Sequence, residues 1–252
     1  MARFEGKVVV ITGASGGLGR AAAQGFAREG AELVLLDVER AGLDETAAML
    51  RDGGTTCGAY PIDLVREEEI RALGAALSAR HARIDLLYNN AGIAYGAVNA
   101  PVEAVGMADW LRFLAINSVA PLLLAEALRP ALSTAKGVIL NQSSMASFQP
   151  GNVYGVTKAA LNAMTFAMAG SFGADGIRVN AIAPGLMETG ASNAGLAPET
   201  VARIQGMQTL KGHGLPEDIV RLALFLASDD ARFIHGEVIA CDAGNRVRGW
   251  RY

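Results

Sequence analysis

The sequence predicts an α/β protein with a single parallel sheet of seven strands, doubly wound and flanked by helices on both faces. Short apolar runs alternate with helix-length segments along the whole chain. These runs are continuously apolar, which is typical of strands buried on both faces of a parallel sheet. The first run passes through a glycine-rich turn into a helix, as the opening unit of such a sheet does.

The predicted elements alternate in order. Strands are expected at 7–12, 32–37, 55–60, 84–89, 136–142, 177–183 and 236–241, and helices at 17–29, 39–52, 66–80, 109–133, 152–173 and 216–227. The least regular stretch follows the sixth strand and is expected to end in a loosely helical segment, 198–210. We predict one domain, 1–252, with a substrate lid at about 184–210, because ligands bind at the carboxyl ends of the strands.

Composition and charge narrow the function classes. The chain has 252 residues and a net charge of −3, so it lacks the basic footprint of a nucleic-acid-binding protein. No uninterrupted apolar run approaches the roughly 20 residues of a membrane span. Two distant cysteines without metal spacing favour a reduced, cytoplasmic setting, and no metal site is expected. The expected partner is a small-molecule substrate.

The first strand and its turn predict a pyrophosphate cradle. The run Val8–Ile11 breaks into a turn with glycines at positions 13, 16, 17 and 19, and a helix follows. Glycine lets a ligand approach backbone N–H groups, and a helix N-terminus attracts phosphate. A glycine turn alone is weak evidence, because many strand-to-helix turns bind nothing.

Asp37 strengthens the prediction of a dinucleotide site and indicates NAD rather than NADP. It ends the second strand, 18 residues after Gly19, where a carboxylate accepts hydrogen bonds from the adenosine ribose and repels a 2′-phosphate. Val38 follows it, and Ser15 and Gly16 carry no base for that phosphate. Arg40 is the nearby cation that could weaken this preference for NAD over NADP. The alternative is a solvated strand-end acid.

Polar residues also end the third and fourth strands. Asp63 either contacts the adenine amino group or caps the helix beginning near Arg66, and the sequence does not decide between these two roles. The fourth strand ends in Asn89-Asn90-Ala91-Gly92. Asparagine side chains form hydrogen bonds with the backbone at strand ends, and the small residues after them leave space for a cofactor close to the chain. Asn117 lies in an apolar helix and needs a partner if buried. One interpretation is that Asn117 lies at a kink in the helix, since Pro121 is nearby. The other is that it takes part in a path for proton transfer.

The fifth strand and the next helix carry the predicted chemistry. The strand ends in Ser143-Ser144, and Tyr154 and Lys158 follow one helical turn apart on one face. The reference pKa of a phenol is about 10, and a nearby cation is expected to lower it. A strand-end serine can hold a substrate oxygen beside the phenol. Tyr-x-x-x-Lys alone is a weak signal, since a solvated helix face produces it by chance.

Together these motifs resemble the short-chain dehydrogenase/reductase family. The turn Thr12–Gly19 is similar to its TGxxxGxG motif, Asn89–Gly92 to NNAG and Tyr154–Lys158 to YxxxK. Matches also run through 178–180, 184–185 and 236–244, so the resemblance covers nearly the whole chain.

The resemblance implies a seven-stranded Rossmann fold and a catalytic tetrad of Asn117, Ser144, Tyr154 and Lys158. The tyrosine would be the acid/base, the serine would orient the substrate, the lysine would lower the tyrosine pKa and hold the ribose, and the asparagine would hold a relay water. A homotetramer or homodimer is usual. The residues expected at the cofactor are Gly13, Ser15, Gly16, Gly17, Leu18, Gly19, Asp37, Asp63, Leu64, Asn90, Ala91, Gly92, Tyr154, Lys158, Pro184, Gly185, Met187 and Thr189.

One spacing departs from the family. Ser144 stands ten residues before Tyr154 and Ser143 eleven, closer than the family serine usually stands. Counting without a gap would place Asn141 in the serine position. We favour Ser144 with a shortened loop at 145–153.

The substrate is expected to be a mainly apolar cyclic or aryl secondary alcohol. A polyol, a hydroxysteroid or a 3-oxoacyl thioester is an alternative, and so is a non-catalytic NAD-binding sensor or scaffold. No arginine cluster occurs among the candidate contacts, which disfavours a highly charged substrate. An aromatic tail at 249–252 that packs on a neighbouring subunit is a further hypothesis. The candidate substrate contacts are Ala94, Tyr95, Met145, Phe148, Gln149, Leu186, Met187 and Met207.

Overall fold

The computed structural model describes residues 2–245, without the side chains at positions 191 and 193. The predicted aromatic tail at 249–252 lies outside the described residues.

Seven parallel strands form one sheet, which confirms the predicted fold class. The strand order is β3-β2-β1-β4-β5-β6-β7. The order reverses between β1 and β4, and a crevice opens at the carboxyl ends of strands at such a switch point. The strands are β1 Val8–Thr12, β2 Glu32–Asp37, β3 Cys57–Pro61, β4 Leu86–Asn89, β5 Val138–Gln142, β6 Arg178–Pro184 and β7 Val238–Cys241.

Helices cover both faces of the sheet. One core joins the sheet to the first, second and ninth helices, and the other joins it to the third, fifth and sixth. The helices are α1 Gly17–Arg28, α2 Arg40–Asp52, α3 Glu67–Arg80, α4 Met107–Leu114, α5 Ala120–Ala135, α6 Val153–Phe172, α7 Gly190–Gly195, α8 Pro198–Met207 and α9 Pro216–Ala227. Short 3₁₀ turns occupy Gly96–Asn99, Val102–Ala104, Met145–Ser147, Gly173–Asp175 and Asp229–Ala231.

Several strands begin about two residues later than the sequence predicts. Two of the first predicted residues instead bond carbonyls near the end of α5: Ile84 N–H donates to that of Ala131 at 3.1 Å, and Gly137 N–H to that of Leu132 at 2.9 Å. Their apolar character reflects burial at the helix–strand junction.

The predicted helix 109–133 is two helices joined by a π-helical turn, Ala115–Val119. A π turn is a local irregularity often found at functional sites, and this one contains Asn117. By length and composition, the whole stretch Met107–Ala135 would suffice to cross a membrane, with a hydropathy of 1.5. A search for uninterrupted apolar runs does not detect this long, apolar stretch. Leu124, Leu128 and Leu132 are instead buried in the core beside α3.

The predicted lid segment contains a helix that the sequence analysis missed. Thr189 precedes α7 and accepts from Ser192 N–H at 3.0 Å, while Ser192 Oγ accepts from Thr189 N–H at 2.9 Å. This reciprocal capping starts a helix in a stretch whose glycines predict a loop. In α8, which follows, no residue is buried.

Candidate active site

A cavity of about 1410 Å³ opens at the carboxyl ends of the strands. Its walls come from the glycine turn, the ends of β2 to β6, the start of α6, and α8. It exceeds the roughly 300–1,000 Å³ of an ordinary small-molecule site. The cavity therefore has room for a dinucleotide together with a second small molecule.

The glycine turn fits a pyrophosphate. A Cβ on Gly16 or Gly17 would meet nothing within 4 Å, so the space above them is open. No side chain caps α1 at Gly16, and its first turn holds no acid. The N–H groups of α1 are thus available to an anion.

Gly13 and Gly19 have a different use. Gly13 has φ of +70°, and a Cβ there would stand 2.8 Å from Ala91 Cα. A Cβ on Gly19 would stand 1.9 Å from the Gly13 carbonyl oxygen. Gly19 does not line the cavity, so its expected cofactor contact is replaced by close packing. Asn90 secures the turn by donating to the carbonyls of Thr12 at 2.9 Å and Gly13 at 3.2 Å.

Asp37 lines the cavity and is held by two backbone groups. Its Oδ2 accepts from Ser15 N–H and its Oδ1 from Glu39 N–H, both at 2.9 Å. Arg40 faces solvent and pairs with Asp44 at 3.4 Å. Arg40 is not the one nearby cation, however, because Arg20 donates to the Ser15 carbonyl at 2.6 Å and pairs with Glu45.

Asp63 does not cap α3. Its Oδ1 accepts from Val65 N–H at 3.0 Å, an Asx turn that orders the chain before the helix. The residue preceding α3 is Arg66, and no side chain caps the helix there. Asp63 and Leu64 both line the cavity.

Tyr154 and Ser144 meet in the cavity wall. Asn152 caps α6 by accepting from Gly155 N–H at 2.8 Å, and this places Tyr154 in the first turn. The Tyr154 phenol interacts with the Ser144 hydroxyl. Burial raises the pKa of Tyr154 to about 12; the Ser144 hydroxyl opposes this rise, and nearby Tyr95 adds to it. Burial therefore outweighs the lowering of that pKa that a nearby cation is expected to cause.

The structure separates the two strand-end serines and Asn141. Ser143 Oγ donates to Asn162 Oδ1 at 2.6 Å and is buried. Asn141 is fully buried, where it accepts from Asn89 at 2.9 Å and donates to Thr165 at 2.9 Å. Ser144 is thus the one of these three side chains that contacts Tyr154.

Lys158 lies one turn beyond Tyr154 and is almost fully buried. Its Nζ donates to the Gln142 carbonyl at 2.6 Å. Burial lowers the pKa of Lys158 to about 8, because a charged amine loses its hydration. A Cβ on Gly92 would lie 3.2 Å from Nζ, so the ammonium borders the place where Gly92 meets the cavity.

Asn117 lies in the layer behind the cavity. It donates to the Ile93 carbonyl and to Thr157 Oγ1, both at 3.0 Å, and accepts from Ile93 N–H at 2.8 Å. Thr157 in turn donates to the Tyr154 carbonyl at 2.8 Å. The sequence analysis missed Thr157, although a buried amide in an apolar helix signals that a polar partner must exist.

Tyr95 connects the loop after β4 to the predicted lid. Its phenol interacts with the side chains of Thr189 and Ser192, which lower its pKa, and burial, the larger effect, raises it. A Cβ on Gly195 would stand 2.6 Å from the Tyr95 ring. The ring therefore packs directly on α7.

The candidate substrate contacts all border the cavity. The structure adds residues from α8 and from α4, including two arginines, Arg112 and Arg203. These two arginines lie on different helices and outside the set of candidate contacts, in which no arginine cluster occurs. The spacing of Thr200, Arg203, Ile204 and Met207 is the one sequence signal for the α8 wall. Among the described residues, no cluster of three or more His, Cys, Asp or Glu could hold a metal.

Known proteins resemble this chain over nearly its whole length. A family model described as enoyl-(acyl carrier protein) reductase matches residues 13–246. Meso-2,3-butanediol dehydrogenase of Serratia marcescens is 34% identical and covers 96% of this chain and 95% of its own length. Cis-4-hydroxycyclohexanecarboxylate dehydrogenase of Sinomonas cyclohexanicum is also 34% identical, over 96% and 97%.

Two solved structures show the same fold with different ligands. A 7α-hydroxysteroid dehydrogenase with NADH and 7-oxo glycochenodeoxycholic acid has a TM-score of 0.89 and 31% identity, covering 96% of this chain and 95% of its own. L-Sorbose reductase of Gluconobacter frateurii, with NADPH and L-sorbose, has a TM-score of 0.85 and 28% identity, covering 98% and 99%.

Proposed function

The chain belongs to the short-chain dehydrogenase/reductase family, and from that premise we propose that it uses NAD to interconvert a secondary alcohol and its ketone. The juxtaposition of Tyr154 and Ser144 in the cavity wall carries this proposal. It joins a proton-transferring phenol to a hydroxyl that can hold the same substrate oxygen.

The glycine turn and Asp37 support the choice of cofactor. The open space above Gly16 and Gly17 accepts a pyrophosphate, and the Asp37 carboxylate at the adenosine end disfavours a 2′-phosphate. Arg20 and Arg40, the nearest cations, are each paired with a carboxylate. NAD, when bound, would supply the hydride acceptor and a positive charge.

The chain's own residues handle the proton. Tyr154 takes the hydroxyl proton when the alcohol is oxidised and returns it when the ketone is reduced. Ser144 fixes the substrate oxygen. Lys158 favours the phenolate electrostatically, and Asn117 and Thr157 hold the start of α6 against the Ile93 loop. Positioned proton transfer of this kind is worth about 10²–10⁴-fold in rate.

The substrate side of the cavity favours an alcohol with an apolar body. Met145, Phe148, Leu186, Leu196 and Met207 border it, and methionines adapt to irregular shapes. The relatives that act on a hydroxysteroid and on a hydroxycyclohexane acid support a cyclic substrate for this chain.

The test is NADH formation with a panel of secondary alcohols. The panel spans cyclic alcohols, aryl carbinols, polyols, hydroxysteroids and 3-hydroxyacyl thioesters. A separate assay of NADH consumption with an enoyl thioester tests the activity in the family description. Turnover with one alcohol class is expected, and Tyr154→Phe should lose it while still binding NADH.

Tyr60→Phe is the matched control, because Tyr60 is a half-buried phenol in β3 outside the cavity. Full activity in Tyr154→Phe would overturn the mechanism. NADH binding without turnover of any panel alcohol would favour a sensor, and reduction of the enoyl thioester alone would replace the proposed reaction.

We further propose a homotetramer or homodimer. Met107 and Leu111 on α4 are 75% and 61% exposed, and Phe166 on α6 is 53% exposed. Apolar side chains exposed together on two helices are typical of a subunit interface. Light scattering after size-exclusion chromatography tests this, and a monomer at micromolar concentration would contradict it.

A further inference from the structure

One face of α8 is turned to the cavity. Thr200, Arg203, Ile204 and Met207 follow the i, i+3, i+4, i+7 spacing of one helix face, and all four border the cavity. No residue of α8 is buried in the protein. The apolar members of this face therefore meet the cavity space, where a ligand would cover them.

Arg203 has no partner among residues 2–245. Glu199 stands four residues before it on the same helix, the spacing at which such side chains normally pair. The equivalent pair on α3, Glu67 and Arg71, does form. The Glu199–Arg203 pair does not, and Arg203 is an exposed residue that borders the cavity.

The charges of the cavity are divided between its two ends. The carboxylates in its wall, Asp37 and Asp63, follow β2 and β3 at the adenosine end. No carboxylate in the wall stands beside Arg203. Arg112 also borders the cavity, but it lies on α4, four residues before Ile116 of the π turn.

We propose that Arg203 binds a carboxylate carried by the substrate, which makes the substrate a secondary hydroxy acid. This rests on the proposed function of the same site. The hydroxyl lies at Tyr154 and Ser144, the apolar body lies against Ile204 and Met207, and the acid group reaches the guanidinium. A guanidinium forms two parallel hydrogen bonds with a carboxylate, which fixes orientation as well as charge.

The experiment compares the binding of cis-4-hydroxycyclohexanecarboxylate with that of its methyl ester, which lacks the negative charge. Calorimetry measures the Kd of each compound for the enzyme–NADH complex, and binding to this complex can be measured without turnover. Wild type should bind the acid more tightly than the ester. Arg203→Gln should weaken binding of the acid about tenfold and leave the ester and NADH unchanged. Arg203→Lys should lie between the two.

Arg221→Gln is the control, since it removes one exposed charge from α9 outside the cavity. Three results would overturn the proposal: no preference of wild type for the acid, equal loss of acid and ester in Arg203→Gln, or a matching loss of NADH affinity. The last result would assign the guanidinium to the cofactor. Failure of the proposed oxidation would instead show as absent NADH formation across the alcohol panel.

Discussion

The Lys158 ammonium lies 5.9 Å from the centre of the Tyr154 ring and donates to the Gln142 carbonyl. Lys158 is buried and Tyr154 is partly buried. Desolvation favours the neutral form of each group and moves the pKa to about 12 for Tyr154 and about 8 for Lys158. Desolvation thus outweighs the attraction that helix spacing alone predicts.

Burial of Lys158 should make stability depend on pH. Its folded pKa of about 8 is below the ordinary value of 10.5. Between these values the unfolded chain binds more protons, so stability rises with pH. Relative to Lys158→Met, wild type should gain up to about 3 kcal/mol from pH 7.5 to 10. Urea unfolding without NADH measures this, and parallel pH profiles of the two proteins would contradict it.

The two strand-end serines should separate activity from stability. Ser144→Ala removes the hydroxyl that interacts with Tyr154 and should lower kcat about 10²-fold or more, with little change in Tm. Ser143→Ala leaves Asn162 Oδ1 without this buried donor and should destabilise the fold by about 1–3 kcal/mol. Steady-state kinetics and thermal unfolding of both variants make the comparison. The reverse pattern would identify Ser143 as the catalytic serine.

The fold could be predicted because its signals are local. Continuous apolar runs such as Leu33–Leu36 specify strands buried on both faces, and the glycine turn marks where the first helix begins. The π turn at Ala115–Val119 has no such signal. It depends on Asn117 reaching Ile93 and Thr157, and these contacts exist only after α6 packs nearby.

Residues of the candidate site could be predicted where a single sequence motif fixes their relative positions. The spacing of Tyr154 and Lys158 is of this kind. The choice of Ser144 over Ser143 depends on which side chain meets Asn162 across the fold, and no spacing reports that. Arg203 was missed because an exposed arginine four residues after a glutamate predicts a solvated pair.

Asp37 should control the choice between NAD and NADP. Asp37→Asn keeps the side-chain shape but removes the charge that repels a 2′-phosphate. The ratio of kcat/KM for NAD over NADP should fall about tenfold or more. Both cofactors are assayed with one fixed alcohol substrate. Asp52→Asn is the control, because it removes an equivalent charge from an exposed position at the end of α2, outside the cavity. An unchanged ratio in Asp37→Asn would make Asp37 a surface acid.

Tyr95 should set how long the cofactor stays bound. Its phenol interacts with Thr189 and Ser192 at the start of α7. Tyr95→Phe keeps the ring on Gly195 but loses the interactions of the hydroxyl. A polar interaction of this kind contributes about 0.5–1.5 kcal/mol, so NADH should dissociate roughly 2–10-fold faster. Stopped-flow fluorescence measures the rate, and Tyr60→Phe is the control outside the cavity.

Gly195→Ala tests the same contact from the other side. The new methyl group would lie 2.6 Å from the Tyr95 ring, so α7 must move away from the loop after β4 and both interactions of the Tyr95 hydroxyl should weaken together. NADH dissociation should therefore be at least as fast as in Tyr95→Phe. The double variant should add little, because the two changes act on one contact. Independent, multiplying effects would show that Tyr95 and α7 act on the cofactor separately.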